Sequence, residues 1–300
     1  MLEAGTRGKD IAMEKVLVGI DEEPASQIAV DWVIERAQTV QVRVTLFTAF
    51  DMLVSDPVAD DGLLTRTAAR IIAAAPGTRV ETEVADRSIV EGLVERSADA
   101  DLLVIGSHPH RRVRSILTGA LPSAIVTRAH CATVVVPDDW EPGGDRIILG
   151  VADDESSDAA TSFAAREAVA AGLPLDAVHA WELPVPSMDA VASLIVGDEE
   201  LAAIHAELLS RVTSRLDRRY DGLEVRGVLS HGGSVTGIDD ALDHAKLLVL
   251  GTHRHGPAIG ALLGSTVQHL LHRGITAIAI VPNLKTGERA TARQHRASRA

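Results

Sequence analysis

Aromatic residues are nearly missing from this chain: three Phe, three Trp and one Tyr in 300 residues. With so few rings, the packing falls to Ala, Val, Leu and Ile, which suits buried parallel strands and their covering helices better than a sandwich. Cysteine is down to a single residue, Cys131, which excludes an intrachain disulfide and fits a reducing cytoplasm. Cys131 lies near the start of an apolar strand and reads as a small core hydrophobe. Long apolar runs are also lacking, so no segment reaches the length of a membrane span. The N-terminus, MLEAGTRGKDIAMEK, has no apolar centre of the signal-peptide kind and reads as a loose leader. Positive charge is in deficit. A formal net charge of −13 argues against nucleic acid and anionic membrane as partners.

Two catalytic signatures are missing as well. There is no GxxxxGK[ST] phosphate loop and no GxSxG elbow, and no Ser/His/Asp arrangement can be assembled. His-x-His occurs twice, at His108/His110 and His253/His255, but no matched carboxylate or Cys cluster accompanies either pair, so loop histidines or phosphate partners are the reading preferred to a metal site.

What is present is a duplication. Leu102–Pro137 and Leu247–Pro282 align without a gap, pairing Gly106 with Gly251, His108 with His253, Gly119 with Gly264 and Pro137 with Pro282. Upstream, KVLVGIDEEPAS from Lys15 pairs with RIILGVADDESS from Arg146. The expected organisation is a leader (1–14), a first domain (15–137), a linker (138–145), a second domain (146–282) and a basic, disordered tail (283–300). Lys285, Arg289, Arg293, Arg296 and Arg299 face one Glu288 in that tail.

Apolar runs and helical periodicity give both halves one order. In the first, strands fall at Lys15–Ile20, Val42–Ala49, Arg79–Val84, Leu102–Gly106 and Thr133–Val136. Helices begin at Pro24 and near Asp60–Ala75, and run over Ser88–Ala98 and Gly119–Arg128. In the second, strands fall at Ile147–Val151, Leu175–Trp181, Glu224–Val228, Leu247–Leu250 and Ala277–Val281. Its helices run over Ser156–Ala171, Asp198–Arg219, Val235–His244 and Gly264–Arg273. Alternating strands and helices with right-handed crossovers predict an α/β fold of two tandem, open, doubly wound parallel sheets. Each has five strands in the order 3-2-1-4-5 and helices on both faces. Ligands then bind beyond the C-terminal ends of strands 1 and 4, where Asp21 and Gly106 lie in the first half.

In the second half the loop after strand 4 runs from Gly251 through His253 and Arg254 to Gly264-Ser265-Thr266. Glycines let a ligand approach the backbone. A helix opening at Ser265 and Thr266 offers free N–H groups and two hydroxyls to a phosphate, with His253, His255 and Arg254 as sources of positive charge. The competing reading is structural: Ser265-x-x-Gln268 matches a capping box, and Gly264 then only makes a tight turn. The first-half helix start, Gly119-Ala120-Leu121-Pro122, lacks both hydroxyls.

With these residues laid out, the chain resembles the universal stress protein family, in its tandem two-domain, actinobacterial form. GIDEEPAS, LLVIGSH, LLVLGTH, the Gly-Ser-Thr helix start and the terminal VVVP and AIVP strands carry the resemblance from Lys15 to Pro282. It implies adenine nucleotide binding through a strand-1 Asp and a G-x2-G-x9-G-[ST] loop, and pairing of domains through their last strands. It also implies a regulatory role in stress or dormancy.

Neither half has the whole motif. The first keeps Asp21, Gly106 and Gly119 but has Pro109 and Ala120 at the second glycine and the Ser. The second keeps Gly251, Gly264, Ser265 and Thr266 but has Arg254 at the second glycine and Ala152 at the aligned Asp, with Asp153 one place on. Two readings of Arg254 stand: a phosphate contact, or a block to the ligand. The expectation is a cytoplasmic, non-catalytic or at most slowly hydrolytic protein. It binds ATP or a related adenine nucleotide, with Mg2+ accompanying it, mainly in the second half. Its domains pair within the chain and the chain forms homo-oligomers. The alternatives are an interaction module for a protein partner, with both sites decayed, and a nucleotide-using enzyme of related fold.

Overall fold

The computed structural model describes residues 13–50, 61–109, 120–152, 157–182, 198–252 and 263–283. The first half runs β1 (Glu14–Gly19), α1 (Pro24–Ala37), β2 (Val42–Phe50), α2 (Asp61–Ala74), β3 (Arg79–Asp86), α3 (Ile89–Arg96), β4 (Leu102–Ser107), α4 (Ala120–Val126), β5 (Ala132–Pro137). The second repeats it as β6 (Arg146–Gly150), α5 (Ser157–Ala171), β7 (Leu175–Trp181), α6 (Asp198–Arg219), β8 (Val225–His231), α7 (Ser234–Asp239), β9 (Ala245–Thr252), α8 (Ser265–Arg273), β10 (Ile278–Pro282).

Strands β4, β5, β9 and β10 are near-continuous apolar runs because both of their faces are covered. The polar β3, RVETEVAD, closes one edge, where its charges discourage further strand pairing. Each half has the expected order 3-2-1-4-5. The two sheets are joined edge to edge into a single sheet of ten strands, β3-β2-β1-β4-β5-β10-β9-β6-β7-β8. The join is the antiparallel pairing of β5 with β10, centred on Val134 and Ala279. This is the last-strand pairing that the family resemblance implies.

Helices cover the sheet in two layers that each run across the join. Side chains of α1, α2, α5 and α6, Trp32 and Phe163 among them, build one core, which Trp140 from the segment after β5 joins. Those of α3, α4, α7 and α8 build the other, which includes the fully buried Cys131.

Two helix ends differ from the sequence reading. The segment expected as helix over Val235–His244 stops at Asp239, and the chain reaches left-handed backbone at His244 (φ 58°). Asp239, Asp240 and Asp243 favour turns over helix interior, and the turn lets Leu242 enter the core. The helix expected to reach Arg128 stops at Val126, where the Thr127 hydroxyl donates to the carbonyls of Ser123 and Ala124.

Candidate functional site

The strand order opens one crevice per half, beyond the C-terminal ends of β1 and β4 and of β6 and β9. In the first, the chain leaves β1 at Gly19 and turns at Asp21. The Glu23 N–H donates to Asp21 Oδ1 at 3.0 Å, and the Ser26 hydroxyl donates to the carbonyls of Asp21 (2.8 Å) and Glu23 (3.0 Å). These bonds start α1, which has Pro24 in its first turn and no side-chain cap. Asp21 is exposed as a residue, yet its carboxyl is recessed in the crevice. The loss of hydration pushes its pKa up, against the opposing bonds from Glu23 and Ser26. Asp21 therefore serves its own backbone before it serves any ligand.

Gly106 lies inside β4. A β-carbon on it would sit 2.3 Å from the backbone carbon and oxygen of Ala25. The first turn of α1 by itself requires glycine here.

His108 bridges the crevice. Its Nδ1–H donates to Asp138 Oδ2 at 2.7 Å, and its Nε2 faces Glu23 Oε2 at 3.6 Å. Among the described residues, Asp21, Glu23 and Asp138 thus surround one imidazole in this crevice. Pro109 packs on the other half, against Gly274, where a β-carbon would come within 2.3 Å of Pro109 Cγ. The residue at the motif's second glycine has become an inter-half packing residue.

The second crevice is built differently. Gly251 and Thr252 close β9. Gly264 is the N-cap of α8, at φ −56° and ψ 147°, with no side-chain cap. That backbone is open to any residue, so the tight-turn reading of Gly264 fails. The capping-box reading fails too. Ser265 is already the first helical residue, and the first helical bond runs from the Gln268 N–H to the Gly264 carbonyl. Among the described residues, a β-carbon on Gly264 would meet nothing within 4 Å. Gly264 and Ser265 are exposed and Thr266 half-buried. The helix thus opens with uncapped N–H groups, two hydroxyls and open space beside them. His253, Arg254, Asp153 and Gly119, together with His110 and His255, lie outside the described residues, as do most of the expected leader and tail.

One group was not singled out in the sequence. His179, buried in β7, donates from Nδ1 to the Val151 carbonyl at 2.8 Å, just where β6 ends. A carbonyl can only accept, so His179 Nε2 is left as acceptor for the His205 Nδ1–H, 2.8 Å away. Trp181 stacks on His205 (5.2 Å between centroids) and meets His231 edge-on (4.8 Å). This cluster fixes the carbonyl of Val151, two residues before Asp153 in the sequence. A histidine inside the apolar run LDAVHAW was the available signal. Among the described residues, no group of three His, Cys, Asp or Glu side chains could hold a metal ion, and no helix is long and apolar enough to cross a membrane.

Fold and crevices together define a duplicated, doubly wound α/β protein with a crevice at the switch point between strands 1 and 4 of each half. A profile of the universal stress protein family matches residues 13–137 and again 144–282, and the chain belongs to that family. Universal stress protein Rv2623 of Mycobacterium tuberculosis is 26% identical over 292 residues, spanning 88% of this chain and 95% of that protein. A universal stress protein of Mycolicibacterium smegmatis is 24% identical over 286 residues, spanning 89% and 96%. Among solved structures, a universal stress protein from Archaeoglobus fulgidus superposes with a TM-score of 0.63 at 17% identity, covering 90% of this chain and 98% of that one.

Proposed function

We propose that this protein is a cytoplasmic regulator of stress or dormancy that binds ATP or a related adenine nucleotide in its second half and does not turn it over as an enzyme. One observation carries the reading. α8 opens at Gly264-Ser265-Thr266 with an exposed, uncapped first turn and open space at Gly264. Free N–H groups, the helix dipole and two hydroxyls favour phosphate there. Arg254 and His253, on the loop before α8, are the charges assigned to the phosphates, and Asp153 to the base or ribose. Mg2+ would arrive with the phosphates, since the described residues offer it no cluster. Among the described residues the first crevice presents three carboxylates, those of Asp21, Glu23 and Asp138, and it is assigned no nucleotide.

Calorimetric titration of nucleotide-free protein with ATP tests this. Binding with one site per chain is expected, and Ser265→Ala should weaken it about tenfold, as for the loss of a charge-assisted hydrogen bond. No heat at millimolar ATP would overturn the nucleotide reading. Nucleotide turnover should stay at background, and measurable product release in an assay with several nucleotides would overturn the non-catalytic assignment.

A second reading is a protein-interaction module. The use of Pro109 in the inter-half contact favours it for the first half. Nucleotide released from the denatured, freshly purified protein would count against it for the second.

A further inference from the structure

The join between the halves carries a charge pattern that the repeat makes legible. The alignment that pairs Lys15 with Arg146 runs on without a gap through the first helices. It pairs Trp32 with Phe163, Glu35 with Arg166 and Arg36 with Glu167. Burial agrees with this register: Ala29 and Ala160, and Val33 and Ala164, are all fully buried. The alignment that pairs Leu102 with Leu247 pairs Asp101 with Lys246. At all three positions the two halves carry opposite charge.

These positions meet across the pseudo-two-fold axis between β5 and β10. The Arg36 guanidinium donates to both oxygens of Glu167, at 2.5 and 2.9 Å, so a residue faces its own equivalent. Its remaining donors reach Glu14 at 2.7 and 2.9 Å. The side chains of Arg36 and Glu167 are only 9% and 10% exposed. Burial opposes the charge on Arg36, but Glu167 and Glu14 outweigh it and raise its pKa. Lys246 of the second half bridges to Glu35 of the first. The mate of that bridge is Asp101 opposite Arg166. These two are not bridged, since Arg166 lies over Phe163 and Asp101 accepts from the Lys15 N–H, but their signs are complementary.

We propose that this inverted charge set makes the join selective, so that a first half pairs only with a second half. Two first halves would set Arg36 against Arg36 and Glu35 against Asp101. Two second halves would set Glu167 against Glu167 and Arg166 against Lys246. The second mismatch is the harsher one, because Arg36 keeps its bidentate contact with Glu14 of its own half, whereas Glu167 makes no second ion pair among the described residues. A buried ion pair adds little net stability over a well-packed apolar pair. Its effect lies in what it rejects: a buried like-charge contact leaves charges desolvated and unpaired. Copies of this chain can therefore meet through this seam only by exchanging halves, and any other oligomer uses another surface.

The intact chain permits a direct test, because single reversals reproduce the forbidden seams. At the central pair, Arg36→Glu copies the contact of two second halves, with Glu14 as a third carboxylate beside it, and Glu167→Arg copies that of two first halves. Thermal unfolding of both, of the double reversal and of a Met/Met variant at the two positions gives the comparison. The single reversals should lower the unfolding midpoint by roughly 5 °C or more, with Arg36→Glu the worse. The double reversal should regain most of the loss, and the Met/Met seam should match the wild type closely. Should Arg36→Glu fail to fold, Glu35→Lys alone and with Lys246→Glu runs the same cycle at the less buried bridge. Losses that simply add in the double reversal, or like-charged seams as stable as Met/Met, would overturn the proposal.

Discussion

At the scale of single residues, similar motif letters do different work in the two halves. Gly106 and Gly264 both stand in the nucleotide pattern. A β-carbon on the first would clash with the Ala25 backbone at 2.3 Å, while one on the second would meet nothing among the described residues within 4 Å. Gly106→Ala should therefore destabilise the fold by about 1–3 kcal/mol through overpacking. Gly264→Ala should leave the melting temperature almost unchanged, and any effect should appear in nucleotide affinity. Melting curves of the two variants check this. Asp21 gives a prediction in pH. Its pKa is raised in the folded state, so its charged form is the disfavoured one there. The favourable term is complete below the unfolded value near 3.8 and is lost as pH rises through the raised value. Asp21→Asn keeps an acceptor for the Glu23 N–H but carries no charge. It should be more stable than wild type at pH 7, with the gap closing toward pH 3.5. An unchanged or growing gap in acid would show that burial does not dominate at this carboxyl.

At the scale of elements, the strands were legible because continuous apolar runs such as LLVIG and ATVVV leave few alternatives. Helix ends were less so. Ser265-x-x-Gln268 satisfies the letters of a capping box whether Ser265 is the cap or the first helical residue, and only backbone geometry separates the two. The ring of Glu23, His108 and Asp138 was illegible for another reason, since it joins residues from three elements far apart in the chain. His179 and Trp181 share β7, but their partner His205 comes from α6, 26 residues on from His179, and only the fold brings them together. α8 ties the two halves together at its far end: Gly274 caps it at φ 58° beneath Pro109. Gly274→Ala should cost about 1–3 kcal/mol, from left-handed strain and from the clash with the proline. Adding Pro109→Ala should return the part due to the clash and leave the backbone part. Chemical denaturation of the single and double variants separates the two terms.

At the scale of the whole molecule, neither the sheet nor its helix layers break at the linker. β5 and β10 pair in the middle of ten strands, and each core draws side chains from both halves. Two domains sharing a sheet and both cores have few ways to unfold separately, so calorimetry of the intact chain should show one transition. The seam is where that unity is decided. Ala279 is fully buried on β10, pairs with Val134 and belongs to the core layer of α1 and α5. Ala279→Glu would place a carboxylate in that apolar layer, a cost of several kcal/mol. The halves keep their own strand orders and most of their own helix contacts, so the penalty falls on the joining of the halves more than on either half. The expected outcome is a split of the single transition into two, the lower one well below the wild-type midpoint. A single transition moved down as a unit would mean that each half depends on the other for its own fold, and that the duplication has become one domain in energetic terms.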